Sequence, residues 1–401
     1  MRLAPLALAG LLLAGCAAPL TDLRVDSPYR DPATLEKGQI LHAATGRLLT
    51  RDELAEYLRA FPVIYVGETH DSVDSHAVQL AILQDLSTRL PGEVALGLEM
   101  LQRTSQPEVD RWLRGEMEEK EFLRLWQENW APSSFPYYRD ILAYARDRGI
   151  PVRALNAERD LRRALAGAPP EDLDPALRER LPELSFDDPH YQAFLEAMFR
   201  GHEAGDAARE GFLRVQVLWD ETMAQTAAEY LTGVGRGKRL VILAGSNHVR
   251  HGFGIPRRLF RRVPLPYAIV DSFAVEVPEA KRERFMNVDL PPIPLRAVDV
   301  YWATGYEDLE GDRVLLGVQL ETDEDARVRV RGVLPGSPAE RAGVRAGDVI
   351  AAIDGEPVKE LFDVTYRVGL RRPGETGPLE VLREEERLTL EIVYDVLRHG
   401  E

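Results

Sequence analysis

Cysteine is nearly absent from this chain: one among 401 residues, at position 16. That excludes an internal disulfide and any zinc site built on cysteines, so a bound metal would have to rest on His, Asp, Glu or Tyr. A basic excess is lacking too. Lys and Arg number 50 against 66 Asp and Glu, a formal net charge of -16, which removes the attraction that nonspecific nucleic-acid binding depends on. Nucleic acid is therefore not expected as a partner. What is present, 45% hydrophobic and 29% charged residues, describes a globular chain long enough for two domains.

Residues 1–15 carry one Arg near the start and then an apolar run too short to span a membrane, the pattern of a secretion signal. The run ends in Leu13-Ala14-Gly15-Cys16, which resembles the bacterial lipobox, where the cysteine is acylated and becomes the first mature residue. Several acyl chains, at about 0.8 kcal/mol per buried methylene, make an effectively permanent anchor in a lipid bilayer. Ala17 after the cysteine, by the sorting rule the resemblance carries, implies the outer membrane on its periplasmic side. Residues 16–38, with scattered Pro, Asp and Ser, are expected to be an extended tether.

From residue 39 to 277, short apolar runs of strand length (61–66, 94–98, 150–155, 240–244, 267–270) alternate with stretches of helical spacing. This predicts an α/β domain with a mostly parallel sheet flanked by helices. Residues 182–230 break the alternation and predict a helical insertion or lid. Residues 278–311, with Pro278, Pro291, Pro292 and Pro294, are expected to be a linker. Beyond it, Leu315-Leu316-Gly317-Val318, the Gly336–Gly343 turn and helix, and Gly347-Asp348-Val349-Ile350 resemble a small PDZ domain over 312–395. The resemblance implies a carboxylate-binding loop at Leu316, Gly317 and Val318 and a peptide or protein C-terminus as partner.

In open α/β sheets ligands bind beyond the carboxyl ends of the strands. Four of the predicted strands run into polar groups there: Gly67-Glu68-Thr69-His70-Asp71, Glu99, Asn156 and Gly245-Ser246-Asn247-His248. Two Gly-x-x-His motifs with nearby carboxylates suit either a divalent metal on His70, His248 and Glu99 or a water activated between Glu and His. Glu68 joins this set, and Asp71, His76, Asn156, Asn247 and Arg250 are read as supporting it.

These motifs, with His76, Gln79, Leu98-Glu99-Met100, Gln216, Asp220, Met223-Ala224 and the run from Val249 to Pro256, resemble the ChaN family of haem-binding lipoproteins, related to the Tiki and erythromycin-esterase-like superfamily. The resemblance implies haem as cofactor, held between the protomers of a homodimer, and a role in haem or iron uptake. Tyrosine ligation of iron is part of it. Tyr191 and His202, in the helical insertion, are the candidates by composition. Arg257, Arg258, Arg261 and Arg262 read as a solvated helix face rather than a propionate site. A haem carrier is the favoured reading. A metal-dependent hydrolase on the strand-end His/Glu cluster is the alternative, and an envelope scaffold built on the PDZ module is a further one.

Overall fold

The computed structural model describes residues 30–199, 205–284, 293, 295–309 and 314–396. The expected signal, Cys16, most of the expected tether and His202 lie outside the described residues.

An eight-stranded sheet organises the first domain. Its strands are β1 (Ile40–His42), β2 (Arg47–Leu49), β3 (Val63–Glu68), β4 (Val94–Gln102), β5 (Val152–Asn156), β6 (Arg239–Gly245), β7 (Tyr267–Glu276) and β8 (Val300–Gly305), in the order β2-β1-β8-β7-β3-β6-β4-β5. From β8 to β5 all neighbours run parallel; only β1 pairs antiparallel, with β2 and β8. The central strands are buried on both faces, which is why they read as continuous apolar runs rather than as alternations. One face packs the helices Val73–Arg89 and Phe135–Asp147, with Ile82, Leu86, Tyr138 and Leu142 against Ile64, Leu96 and Val241. The other packs Met223, Ala224, Ala227 and Leu231 of the helix Asp206–Thr232 against Tyr65, Leu240 and Ile242.

Three expectations change here. The segment expected as a linker, 278–311, contains β8, which fills the place between β1 and β7. Its apolar stretch Val300–Gly305 is short, and the prolines before it dominate any local reading. The last residues of the expected tether are also part of the fold: Asp31 caps a turn at Pro32–Thr34, and Leu35, 5% exposed, packs with Leu41 and Ala303. The insertion at 182–230 is only partly a cover. Its second half belongs to the 27-residue helix Asp206–Thr232, which crosses the sheet and leads into β6.

The second domain is a small antiparallel β structure with its own core of Val330, Ile350, Ile353, Val364, Leu379 and Ile392. Strand β10 (Val318–Thr322), which follows a two-residue strand β9 (Val314–Leu315), forms the edge of its main sheet and lies beside the helix Leu361–Gly369. Gly317 adopts φ 78°, a left-handed turn open to glycine. The carbonyls of Leu316 and Gly317 accept from Ala339 and Leu334. Among the described residues the outer edge of β10 has no partner strand, and a strand edge beside a helix is the geometry in which an extended peptide adds a strand.

Candidate functional site

The parallel register aligns three strand ends. Glu68 of β3 lies opposite Gly245 of β6, and Leu98 of β4 opposite Leu243, which sets Glu99 level with Ala244. Because β3, β6 and β4 are adjacent, Glu68, Glu99 and the loop after Gly245 converge at one end of the sheet.

The side chains there form one connected chain of polar groups with Glu99 at its centre. On one side His70 Nε2 is 4.0 Å from Glu99 Oε1, and His70 Nδ1 donates to Glu68 at 2.6 Å. Glu68 also accepts from the Tyr138 hydroxyl and from Gln79. On the other side His248 Nε2 is 3.4 Å from Glu99 Oε1, and His248 Nδ1 donates to Asp220 at 2.7 Å. Asp220 in turn accepts from the Tyr191 hydroxyl. Each arm thus repeats tyrosine, carboxylate, imidazole. The second oxygen of Glu99 accepts the Gly245 amide at 2.7 Å.

The electrostatics follow from that order. Burial opposes charge on Glu99, but His248 and His70 outweigh it and hold its pKa down at about 2. Burial likewise opposes charge on His70, and Glu99 with Glu68 reverses the balance and lifts it to about 9. His248 is raised well above the ordinary imidazole range by Glu99 and Asp220 against the effect of burial. At neutral pH the cluster is a carboxylate between two imidazolium ions. Its accessible member is His70, whose side chain is 41% exposed, whereas Glu68, Glu99, Asp220 and His248 stay below 10%.

The glycines of both Gly-x-x-His motifs supply space rather than a tight turn. Neither Gly67 nor Gly245 is left-handed. A Cβ on Gly245 would lie 2.9 Å from His70 Nε2, and one on Gly67 would lie 2.6 Å from an Asp271 oxygen. They make room for the cluster and for the brace behind it, where Arg250 grips Asp271 at 2.6 and 2.9 Å and Ser246 donates to Asp271 and to the Glu68 carbonyl.

Comparison with known proteins places this architecture. The family described as haem-binding uptake, Tiki superfamily, ChaN matches residues 54–259, just over half of the chain. The chain belongs to that family. Among solved structures, the one described as cofacial heme binding to ChaN of Campylobacter jejuni is similar to it with a TM-score of 0.51 and 17% identity, over 66% of this chain and 95% of that one, a likeness of fold. A PDZ domain matches residues 314–393. Curated relatives include a probable periplasmic DegP-like serine endoprotease of Rhizobium meliloti, 46% identical over 59 residues, and the periplasmic pH-dependent serine endoprotease DegQ of Escherichia coli, 36% identical over 66. These matches cover 14% and 16% of this chain, which spans only 12% and 14% of those proteins.

In this ChaN-family chain the structure brings Glu68, His70, Glu99 and His248 together, with His76 behind them, its Nε2 donating to the His70 carbonyl at 3.1 Å. Asn156 and Glu99 line the same small cleft. Arg250 braces the loop without entering the cluster. Asn247 is exposed, and Asp71 accepts from Tyr306 at 2.8 Å, so neither joins the cluster. The expected metal set is not formed: among the described residues no group of three His, Cys, Asp or Glu is arranged to hold an ion. His70, His248 and Glu99 are ion-paired instead, and a metal would have to displace a proton from each imidazole to bind there. Tyr191 is corrected as well. It is 1% exposed, its hydroxyl is used by Asp220, and burial pushes its pKa well above 10, away from the phenolate that ligates iron. The arginine group is a solvated face only in part: Arg257 and Arg261 are exposed, but Arg258, Arg261 and Arg262 surround buried Glu221, and Arg257 pairs with Asp188. Sequence reasoning gave no role to Asp220 and passed over Tyr138, because both reach the cluster from helices far along the chain.

Proposed function

We propose that this chain is a lipid-anchored, periplasmic haem-binding protein working in haem or iron uptake, whose PDZ domain takes the C-terminus of a partner. Membership of the ChaN family carries the reading. The residues present also suit the group. His251 is held at φ 57° just past the second Gly-x-x-His motif, a left-handed conformation that a non-glycine residue adopts only when its surroundings impose it. Its Nδ1 donates to the Leu295 carbonyl at 3.2 Å, and burial helped by Arg250 keeps its pKa below the usual imidazole value against the pull of the Leu295 and Arg296 carbonyls. A neutral imidazole oriented through its other nitrogen is the form in which histidine binds iron. His251 packs on Phe194 and Phe253, and the exposed His190 ring lies parallel to Phe253. His251, with His190 and these aromatics, would hold the haem.

Titrating the mature chain with haem tests this. A saturable Soret band is expected, weakened and shifted by His251→Ala, and dimerisation on loading is read by ultracentrifugation. Absence of saturable uptake refutes the carrier. Detergent partitioning of the wild type against Cys16→Ser tests the anchor.

A second reading, hydrolysis at the strand-end cluster, is favoured by the exposed His70 imidazolium beside Glu99, placed to donate a proton or stabilise an oxyanion. Hydrolysis of a reporter ester lost in His70→Ala would support it.

A further inference from the structure

The helix Leu361–Gly369, which lies beside the β10 edge of the PDZ domain, also meets the first domain. Val364 and Val368 turn into the PDZ core. Phe362 and Tyr366, one turn apart on another face, stack on each other with 5.9 Å between ring centroids. Against them stand Lys120 and Arg124, likewise one turn apart, on the helix Glu119–Asn129 of the first domain. Lys120 Nζ lies 5.5 Å from the centre of the Tyr366 ring, and the Arg124 guanidinium 5.1 Å from that of Phe362.

The same two cations hold the acids that start the PDZ helix: Lys120 pairs with Asp363 at 2.6 Å, and Arg124 pairs with Glu360. Asp363 carries the argument. Its carboxylate accepts the Lys359 and Glu360 amides at 2.8 and 3.2 Å, which ties down the first turn of the helix, and its side chain is only 6% exposed. A buried carboxylate calls for a cation, and among the described residues the one it has comes from the other domain. The hold is nonetheless separable. Arg124 and Glu360 are both exposed, and a cleft of about 420 Å³ lined by Lys120, Arg124, Lys359, Glu360, Asp363 and Arg367 lies beside them. A contact made by charge across a polar cleft opens and closes more readily than an apolar interface.

The other end of the helix Glu119–Asn129 is tied to the strand-end cluster. Asn129 Oδ1 accepts the Gln102 amide at 2.7 Å and the Ser105 hydroxyl at 3.1 Å, and Gln102 closes β4, the strand that carries Glu99. Trp130, the next residue, meets His70 edge-on with 5.3 Å between ring centroids. Between the two ends Phe122 and Trp126 are buried in the core. At 1.5 Å per residue the distance from Lys120 to Trp130 is about 15 Å, so one rigid element has the PDZ helix at one end and His70 at the other.

We propose that these two helices couple the PDZ groove to His70. Docking on Lys120 and Arg124 orders the helix that walls the groove, so a peptide C-terminus binds the docked form more tightly. By the same linkage the bound peptide favours docking and holds Trp130 against His70, with one coupling factor in both directions. The coupling rests on the reading of the PDZ domain as a binder of C-termini and is independent of haem.

The probe is a peptide selected on the full chain from a library randomised over its last five residues, with a free C-terminal carboxylate; its amidated form is the control. Lys120→Glu/Arg124→Glu should weaken peptide binding about fivefold or more, the lower end of coupling between sites. Saturating peptide should shift the His70 ring signals of the histidine-labelled wild type and leave those of the double variant in place. A second measurement needs no variant: the peptide should slow hydrogen exchange over residues 119–130 of the wild type. Equal affinity of wild type and double variant, His70 signals unmoved by saturating peptide, or unchanged exchange over 119–130 overturns the coupling and leaves the groove reading standing. Failure to select any carboxylate-dependent peptide overturns that reading, and the coupling with it.

Discussion

Glu99→Gln isolates the electrostatic centre of the cluster. Glutamine keeps the volume, and its carbonyl can still accept the Gly245 amide, so the change removes charge and little else. Glu99 Oε1 lies 3.4 Å from His248 Nε2 and 4.0 Å from His70 Nε2. At those distances each unit pair is worth about 4–5 kcal/mol at an effective dielectric of ~20, opposed by the burial of the carboxylate. The pKa of about 2, against 4.5 for the free group, is the balance, and it corresponds to about 3 kcal/mol of stability at neutral pH. A depressed carboxyl stabilises above its unfolded pKa and loses that contribution as pH falls from 4.5 towards 2. His70, raised from 6.5 to about 9, stabilises fully below 6.5 and loses its contribution as pH rises through 9. With a side chain 41% exposed, screening reduces its share to about 1 kcal/mol, and that share is the same attraction seen from the other partner. The stability difference between wild type and Glu99→Gln should therefore be greatest, about 3 kcal/mol, between pH 4.5 and 6.5 and narrow on both sides. Urea unfolding followed by tryptophan fluorescence measures it in the right domain, since Trp112, Trp126, Trp130, Trp219 and Trp302 all precede the PDZ module. A difference that is flat with pH would refute the reasoning.

Gly245→Ala should force the His70 ring away from Glu99, lowering its pKa from about 9 towards 6.5 and destabilising the domain by about 1–3 kcal/mol; an unchanged His70 titration by NMR would contradict the packing argument. Glu221→Gln leaves Arg258, 3% exposed, without its carboxylate and should lower unfolding stability by about 3–5 kcal/mol. A loss below about 1 kcal/mol would mean those arginines are solvated after all. Tyr191→Phe removes the donor to Asp220 and should lower stability by about 1.5–3 kcal/mol with the haem spectrum unaltered; a shifted Soret band would make Tyr191 an iron ligand.

The legible part of the site was the part written locally. Glu68, His70, Glu99 and His248 end or directly follow apolar strand runs, so periodicity and punctuation point to them. Their partners carry no such mark. Asp220 and Tyr138 sit on buried helix faces whose spacing matches any core stripe, and only the packing of Phe135–Asp147 and Asp206–Thr232 on opposite faces of the sheet brings them to the imidazoles. The arginines at 257–262 misled for the converse reason. Four cations in eight residues read as a wet surface until a buried Glu221 on another helix supplies the opposite charge.

The symmetry of the two arms explains why the cluster must behave as one unit. Two imidazolium ions repel, and each is tolerated only because a carboxylate faces both of its nitrogens: Glu68 and Glu99 for His70, Asp220 and Glu99 for His248. Glu99 is shared, so a proton lost from one imidazole strengthens the hold of Glu99 on the other. The two histidines should titrate as a coupled pair, with apparent values that belong to the cluster rather than to either ring. Of the two, His70 is the one that solvent can reach, because His248 is enclosed with its side chain 9% exposed. A change in protonation at His70 therefore reaches His248 through Glu99. In this arrangement the buried arm sets the charge and the exposed arm meets solvent.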